Sequence, residues 1–358
     1  MRGSTHSPVS IPLTALKGEL MYPGKAVQDG QPTGLCAGGF REIWRIDGDG
    51  DAYRIWEKVM PRIDDSVLDC AVYLYASERD AVEGAGFGGS GFLVGVQVGW
   101  DRDGWTVSNS ARTHHIYAVT TSHVVEDGNS VVRLNTREGA TKVIDLPPES
   151  WIHHPSGDDI AIAPIEPDRE MHKFKYLGVG LGMFVTKERL KDCAIGPGDE
   201  TFAVGRFVAR DERQSNAPIV RFGHVSGLGT EFIDQGEHRS NFKQESFLVE
   251  SHSISGFSGS PVFVWIPLER TVKFRDPEMK SKFRREVRSY QHAPREYFLG
   301  VDWGHLEDTS PPGMAGIVPA WKLTEVLSTP EVVEMRQRKE QSESKVTRAK
   351  LDVRQPLP

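Results

Sequence analysis

The sequence predicts a mainly β (all-β class) protein built from two successive β-domains, on three observations. The 358 residues include 36 glycines and 22 prolines, which interrupt helices and strands alike and so favour many turns. Short runs rich in β-branched and aromatic residues recur between those turns. The runs form two series of similar length, parted by a polar stretch after Pro167. At about 150 residues per domain, the chain suits two packed units with extensions.

Taken in order, residues 1–65 mix Gly, Pro and charge, and hold two aromatic pieces, FREIWRI and AYRIWEKV, readable as strands or a short helix. From Ser66 the first β-series runs through SVLDCAVYLY, GFLVGVQVGW, HIYAVTTSHVV, SVVRLNT, TKVIDL and DIAIAPI. Turn-forming clusters such as EDGN and REGA separate them, as in a closed or sandwiched β-domain. VTKERLKD reads as a short helix capped by Thr186. The second series follows: DETFAVGRFVA, APIVRFGHVSGL, QESFLVESHSI, SPVFVWI, EYFLGVDWG and AGIVPAW. The expected division is an extension over 1–65, a body over 66–330 and a charged tail over 331–358. The body holds β-domains over 66–166 and 196–327, with a polar insertion at 267–297. The tail reads as helical or disordered, and the insertion's KSKFRREVR as a solvated helix face.

Bulk composition excludes more than it selects. With 26% charged residues, 38% hydrophobic and a net charge of −7, no global feature points to nucleic acid or to an acidic membrane. Cys36, Cys70 and Cys193 are odd in number and far apart, unlike a disulfide framework, and read as thiols in a reducing compartment. The first twenty residues are broken by Pro8 and Pro12, and no later stretch reaches about 18 apolar residues. A soluble, cytoplasmic protein is expected.

Hydrolysing an amide with serine takes a base for the hydroxyl proton, a group that orients the base, and donors for the oxyanion. Three segments supply them in the order His, Asp, Ser. In AVTTSHVVEDG an apolar strand delivers His123 to its end, before a polar loop. In DDIAIAPIE, Asp159 directly precedes an alternating apolar strand, a place to bury a carboxylate beside an imidazole. In SISGFSGSPVF, Ser258 stands between Gly256 and Gly259 ahead of PVFVWI. A tight turn there can aim the N–H groups of Gly256 and Ser258 at one point, each such donor being worth about 3 to 4 kcal/mol of barrier. Asp158 competes with Asp159 for the orienting role.

GGSGFLV, VTTSHVV, DIAIAPI, GDETFAVG, GHVSGL and GFSGSPVF, in this order, resemble the trypsin-like serine peptidases, closest to their bacterial HtrA-like branch. The resemblance runs from about Ser66 to Leu327. It implies two six-stranded antiparallel β-barrels of the chymotrypsin/trypsin fold, a C-terminal helix at WKLTEVL, and a serine endopeptidase with the triad His123, Asp159 and Ser258. Asp159 is preferred over Asp158 because the family's acid directly precedes the apolar pair. By the same resemblance Val301, Asp302, Trp303 and Gly304 line the substrate cleft. His252 lies at the base of the primary pocket, with Ser253 beside it and Gly316 on the wall. No acid there attracts Arg or Lys, so uncharged or acidic side chains are the expected preference.

No segment after Leu327 resembles the PDZ peptide-binding module that follows many HtrA-like proteases. Phe257 stands where secreted trypsins carry an acid, so activation by burying a new N-terminal amine is not expected. Ser122 replaces the family's usual alanine, and Ser260 its third glycine. The implied partners are a protein or peptide substrate and an activating protein, with no cofactor, metal, nucleic acid or membrane. A catalytically silent protease fold used as a scaffold is the alternative.

Other motifs read blandly. Gly86, Gly88 and Gly91 spell GxGxxG but precede a strand rather than open a helix. DGDGD at 47–51 lacks the glycine and acid of a calcium loop, having Ala52 and Lys58 at those positions. His114 with His115, and His153 with His154, are strand neighbours that point to opposite faces rather than to one metal.

Overall fold

The computed structural model describes residues 40–46, 52–58, 63–86, 88–97, 100–101, 104–105, 114–165, 174–207, 215–229, 232–234, 243–251, 256–267, 269–275, 283–289, 296–305 and 313–352. The chain divides into two compact units, Met1–Arg62 and Ile63–Pro358. In the first, β1 (Phe40–Ile46) and β2 (Ala52–Lys58) pair antiparallel from Phe40 with Lys58 to Ile46 with Ala52.

The second unit opens on a short helix, α1 (Asp65–Leu68), capped by Asp64. Then come β3 (Ala71–Tyr75), α2 (Glu78–Glu83), β4 (Ser90–Gln97) and a two-residue pair, β5 (Trp100–Asp101) with β6 (Gly104–Trp105). β7 (His114–Thr120), α3 (Ser122–Glu126), β8 (Val131–Asn135), β9 (Thr141–Ile144), β10 (Ile152–His153) and β11 (Ala161–Ile165) complete the first β-domain. Its sheet runs β10-β11-β7-β4-β3-β8-β9, with β12 (Val179–Gly180) added parallel to β4. Among the described residues this sheet curls as a half-barrel.

Glycines let its backbones meet. A Cβ on Gly88 would stand 1.6 Å from the Leu74 carbonyl oxygen, and one on Gly91 2.7 Å from that of Val119. The GxGxxG motif therefore serves sheet packing. Val72, Leu74, Leu93, Ala118, Val132 and Ala161 lie in one core, as period-two alternation requires.

α4 (Lys187–Asp192) is capped by Thr186, whose hydroxyl accepts the Arg189 N–H, and leads into the second β-domain. β13 (Glu200–Gly205), β14 (Ile219–Gly227), β17 (Phe247–Ser251), β18 (Pro261–Trp265), β21 (Glu296–His305) and β22 (Met314–Pro319) close a six-stranded barrel in the order β13-β14-β17-β22-β21-β18. β15 (Phe232–Asp234) and β16 (Lys243–Glu245) form a small hairpin outside it. β19 (Glu269–Arg275) and β20 (Phe283–Ser289) form another within the 267–297 insertion. KSKFRREVR is thus strand rather than helix where it is described: pairing with β19 overrides its charged composition.

The two β-domains pack through aromatic rings. Phe298 of β21 meets Phe92 of β4 at 5.1 Å, Phe184 at 4.9 Å and Phe263 at 5.9 Å between ring centroids. Asn216 adds a polar tie, donating from Nδ2 to the Arg133 carbonyl at 2.7 Å and accepting from Arg133 Nε at 2.7 Å. After β22 come α5 (Ala320–Leu327), buried along Leu323, Val326 and Leu327, and α6 (Pro330–Asp352). The charged tail is helical through Asp352, held by the buried Arg336, whose Nη1 donates to the Leu327 carbonyl at 2.9 Å. No described helix is long and apolar enough to cross a membrane.

Candidate active site

His123 sits not at the end of its strand before a loop, as expected, but in a short helix. β7 ends at Thr120 and the chain turns at once into α3, with Thr121 as N-cap and His123 in the first turn. Thr121 makes no side-chain cap bond, and a helix start leaves its first N–H groups without intrahelical acceptors. Asp159 supplies the acceptor: its Oδ1 takes the His123 N–H at 3.0 Å, while its Oδ2 lies 2.7 Å from Nδ1 of the same residue. One carboxylate thus fixes both backbone and ring. Asp159 is 1% exposed, so the pair is shielded from water where electrostatic interactions are strong. The tautomer that donates Nδ1–H to Asp159 carries its lone pair on Nε2.

Asp158, the competing carboxylate, faces elsewhere. Its Oδ2 lies 3.0 Å from His154 Nδ1 and 3.1 Å from Lys322 Nζ, and its Oδ1 accepts from Gln244 Nε2 at 2.7 Å. Burial pushes the Asp158 carboxyl up, but the hydrogen bonds and charges of His154 and Lys322 outweigh it and hold the group below its ordinary range. Burial likewise presses the Lys322 ammonium down, and the bond to Asp158 with the charges of Asp158, Glu325 and Glu245 carries it above its usual value. His154, Asp158 and Glu325 bring possible ligand atoms within 4.8 Å. Their geometry is that of an ion-pair cluster. The two carboxylates face opposite ring nitrogens of His154, and the ammonium of Lys322 stands 3.1 and 3.5 Å from them.

The Ser258 turn is built from two left-handed glycines, Gly256 (φ 94°) and Gly259 (φ 87°), and closed by the Ser260 N–H on the Phe257 carbonyl at 2.8 Å. Ser90 of β4 holds it. Its N–H donates to the Ser258 carbonyl at 2.9 Å and its hydroxyl to the Gly256 carbonyl at 2.6 Å. The Ser90 carbonyl in turn accepts from Thr120 Oγ1 at 2.8 Å, three residues before His123. Gly89 shows how close the two segments come. The point its Cβ would occupy is 2.6 Å from Val124, the neighbour of His123, and 3.3 Å from the Ser258 carbonyl oxygen. Among the described residues, neither the Gly256 N–H nor the Ser258 N–H is taken by an acceptor.

Val301, Asp302, Trp303 and Gly304 lie on β21, tied to the same turn. The Gly259 N–H donates to the Asp302 carbonyl at 2.8 Å and the Asp302 N–H to the Ser260 carbonyl at 2.9 Å. A bulge between Asp302 and Gly304 re-aims Trp303. Its indole lies on Gly316, where an added Cβ would stand 2.2 Å from the ring, and its Nε1 donates to Ser246 Oγ at 2.9 Å. His252 and Ser253 lie outside the described residues, as do the 47–51 motif and Cys36. Ser122 is buried, its hydroxyl 3.0 Å from His153 Nδ1.

Ser90, Gln244 and Lys322 were not predicted as site residues. Ser90 stands inside the quoted GGSGFLV segment, which offered a place to look. Gln244 and Lys322 sit in ordinary polar runs with no local signal.

No family model and no curated protein matches the chain. Among solved structures, an inactive-form serine-to-alanine mutant of Rv3671c from M. tuberculosis is 12% identical, covering 84% of this chain and 100% of its own, with a TM-score of 0.38. The Rv3671c protease, also in an inactive form, is 12% identical over 73% and 88% of the two chains, with a TM-score of 0.38. Human heparin binding protein is 10% identical over 75% and 92%, with a TM-score of 0.39. At these identities none of them assigns a role to a residue of this chain.

Proposed function

We propose that the protein is a serine endopeptidase that cleaves peptide bonds through an acyl-enzyme, with Ser258 as nucleophile, His123 as general base and Asp159 as the residue that orients His123. The observation that carries this reading is the double hold of Asp159 on His123, at 2.7 Å to the ring and 3.0 Å to the backbone, beside a glycine-framed serine turn. In the first step Ser258 Oγ attacks the substrate carbonyl while Nε2 of His123 takes its proton. The N–H groups of Gly256 and Ser258 stabilise the oxyanion. Collapse breaks the C–N bond, the amine leaves with the proton held by His123, and water reverses the sequence to release the acid. These steps draw on no bound metal or cofactor.

Membership of the HtrA-like branch rests on the sequence motifs, and a cytoplasmic setting on the odd number and wide spacing of Cys36, Cys70 and Cys193. One observation favours a partner-activated form of the same enzyme. The resemblance puts a wall of the primary pocket at Gly316, and the Trp303 indole packs on that residue, so a partner that shifts the indole would reshape that wall. The test is cleavage of an unfolded protein substrate by the full chain, alone and with candidate activators. Ser258→Ala and His123→Ala should abolish it while retaining the wild-type circular dichroism spectrum; cleavage that survives Ser258→Ala would refute the assignment.

A further inference from the structure

Behind Asp159 lies a buried polar cluster that the acyl-transfer steps leave unused. Gln244, on β16 and 0% exposed, reaches from the β15–β16 hairpin to the segment carrying both acids. Its Oε1 accepts the Asp159 N–H at 2.8 Å. Its Nε2 donates to Asp158 Oδ1 at 2.7 Å and to the Glu245 carbonyl at 3.0 Å. We propose that Gln244 is a positioning residue for Asp159, a clamp that holds the Asp158–Asp159 backbone so that the Asp159 carboxylate faces both donors of His123. This rests on the triad reading given above.

The amide can serve in only one orientation. Two acceptors, a carboxylate and a carbonyl, flank its nitrogen, and one N–H faces its oxygen. Reversed, it would set oxygen against oxygen and N–H against N–H, three lost bonds in a site closed to water. The charge of Asp158 therefore fixes the amide. Lys322 of α5, at 3.1 Å from the other oxygen of Asp158, supplies the counter-charge. A relay of direct contacts runs from α5 through Lys322, Asp158 and Gln244 to the backbone of Asp159. The same segment also meets the cleft strand: Ser246 Oγ accepts from Trp303 Nε1 at 2.9 Å and lies 3.4 Å from the Gln244 carbonyl oxygen.

The Gln244 oxygen that accepts the Asp159 N–H at 2.8 Å stands 85 positions away in the chain. Removing the amide frees the segment to shift, and a displacement of about 1 Å at a reacting group costs up to about 100-fold in rate.

The experiment compares the full-length wild type with Gln244→Met, which keeps length and burial without the hydrogen bonds. Two quantities are read: the rate of inactivation by a fluorophosphonate, split into its binding and chemical constants, and the downfield proton resonance of His123 Nδ1–H, assigned by its absence in His123→Ala. Gln244→Met should fold cooperatively, bind the probe as before, react about 10- to 100-fold more slowly, and broaden or lose the resonance. A wild-type rate with the resonance intact would overturn the proposal. A wild type that never reacts would refute the nucleophile assignment instead, leaving the resonance to decide the clamp alone. Should Gln244→Met fail to fold, Lys322→Met and Asp158→Asn each weaken the same relay. Both should slow the chemical step about 3- to 10-fold and weaken the resonance; unchanged values in both would overturn the clamp.

Discussion

The backbone N–H of Ser90 donates to the carbonyl of Ser258 at 2.9 Å, so the turn that carries the proposed nucleophile hangs from a strand of the other β-domain. The Ser90 hydroxyl adds a bond to the Gly256 carbonyl at 2.6 Å and accepts the Arg206 N–H at 2.9 Å. Ser90→Ala keeps the backbone bond and strands a buried N–H at Arg206 and a half-buried carbonyl at Gly256, a loss of about 1–3 kcal/mol. Denaturant unfolding should show that loss, and fluorophosphonate labelling should slow by about tenfold, because the Gly256 peptide frames the proposed oxyanion donors. Wild-type stability together with a wild-type rate would remove Ser90 from the account.

The two adjacent acids should separate sharply. Asp159→Asn presents an amide where the proposed triad needs an acceptor for the His123 Nδ1–H, and should lower turnover by about four orders of magnitude, as the same change does in Ser-His-Asp enzymes. Asp158→Asn touches the ring only through Gln244 and should cost no more than about tenfold. Steady-state kinetics on one peptide substrate decides it. A larger loss at Asp158 would reassign the orienting carboxylate.

Lys322 gives a pH-dependent prediction. In the folded protein Asp158 lies below its ordinary value and Lys322 above its own. The Asp158 contribution to stability is therefore present above the unfolded carboxylate value of about 3.9 and is lost as pH falls through the depressed folded value. The Lys322 contribution is present below about 10.4 and is lost as pH rises through the raised folded value. Lys322→Met should destabilise the protein most between those limits, at neutral pH, and the gap from wild type should narrow below about pH 3. Thermal unfolding at a series of pH values measures it, and a gap that stays constant into acid would contradict the pairing.

Gly259 occupies a left-handed conformation, and a Cβ there would stand 2.0 Å from the Ser90 carbonyl oxygen and 2.2 Å from Thr120 Oγ1. Gly259→Ala combines backbone strain with a clash against the strut that holds the turn, a penalty of about 3 kcal/mol or more. Urea titration should show that loss, with labelling of Ser258 abolished in the fraction that stays folded. Gly128, also left-handed but with nothing within 4 Å of its Cβ position, is the control: Gly128→Ala should cost only the backbone term, about 1–3 kcal/mol, and label normally.

The two β-series were readable because each strand carries its own pattern, from AVYLY to MAGIVP, and turn residues mark their ends. His123, Asp159 and Ser258 were readable because each stands in a distinctive segment of a few residues. What the sequence hid is long-range. Whether the first sheet closes depends on pairings between distant strands. The strand character of 283–289 depends on a partner at 269–275, since FRREVRS alone is dominated by charge. His123 was expected at a strand end before a polar loop; the short helix that carries it instead takes an N-terminal acceptor from Asp159, 36 positions on. Gln244 and Lys322 act through contacts across 85 and more positions, and neither has a sequence neighbour that betrays the role.

The central claim is that Ser258 is a nucleophile activated by His123. Its most direct measurement is to treat the intact 358-residue chain with a fluorophosphonate, weigh the product and map the modified residue. A single adduct on Ser258 of the uncleaved chain, absent in His123→Ala, is the expected result. An adduct on another residue, or equal labelling of wild type and His123→Ala, would contradict it.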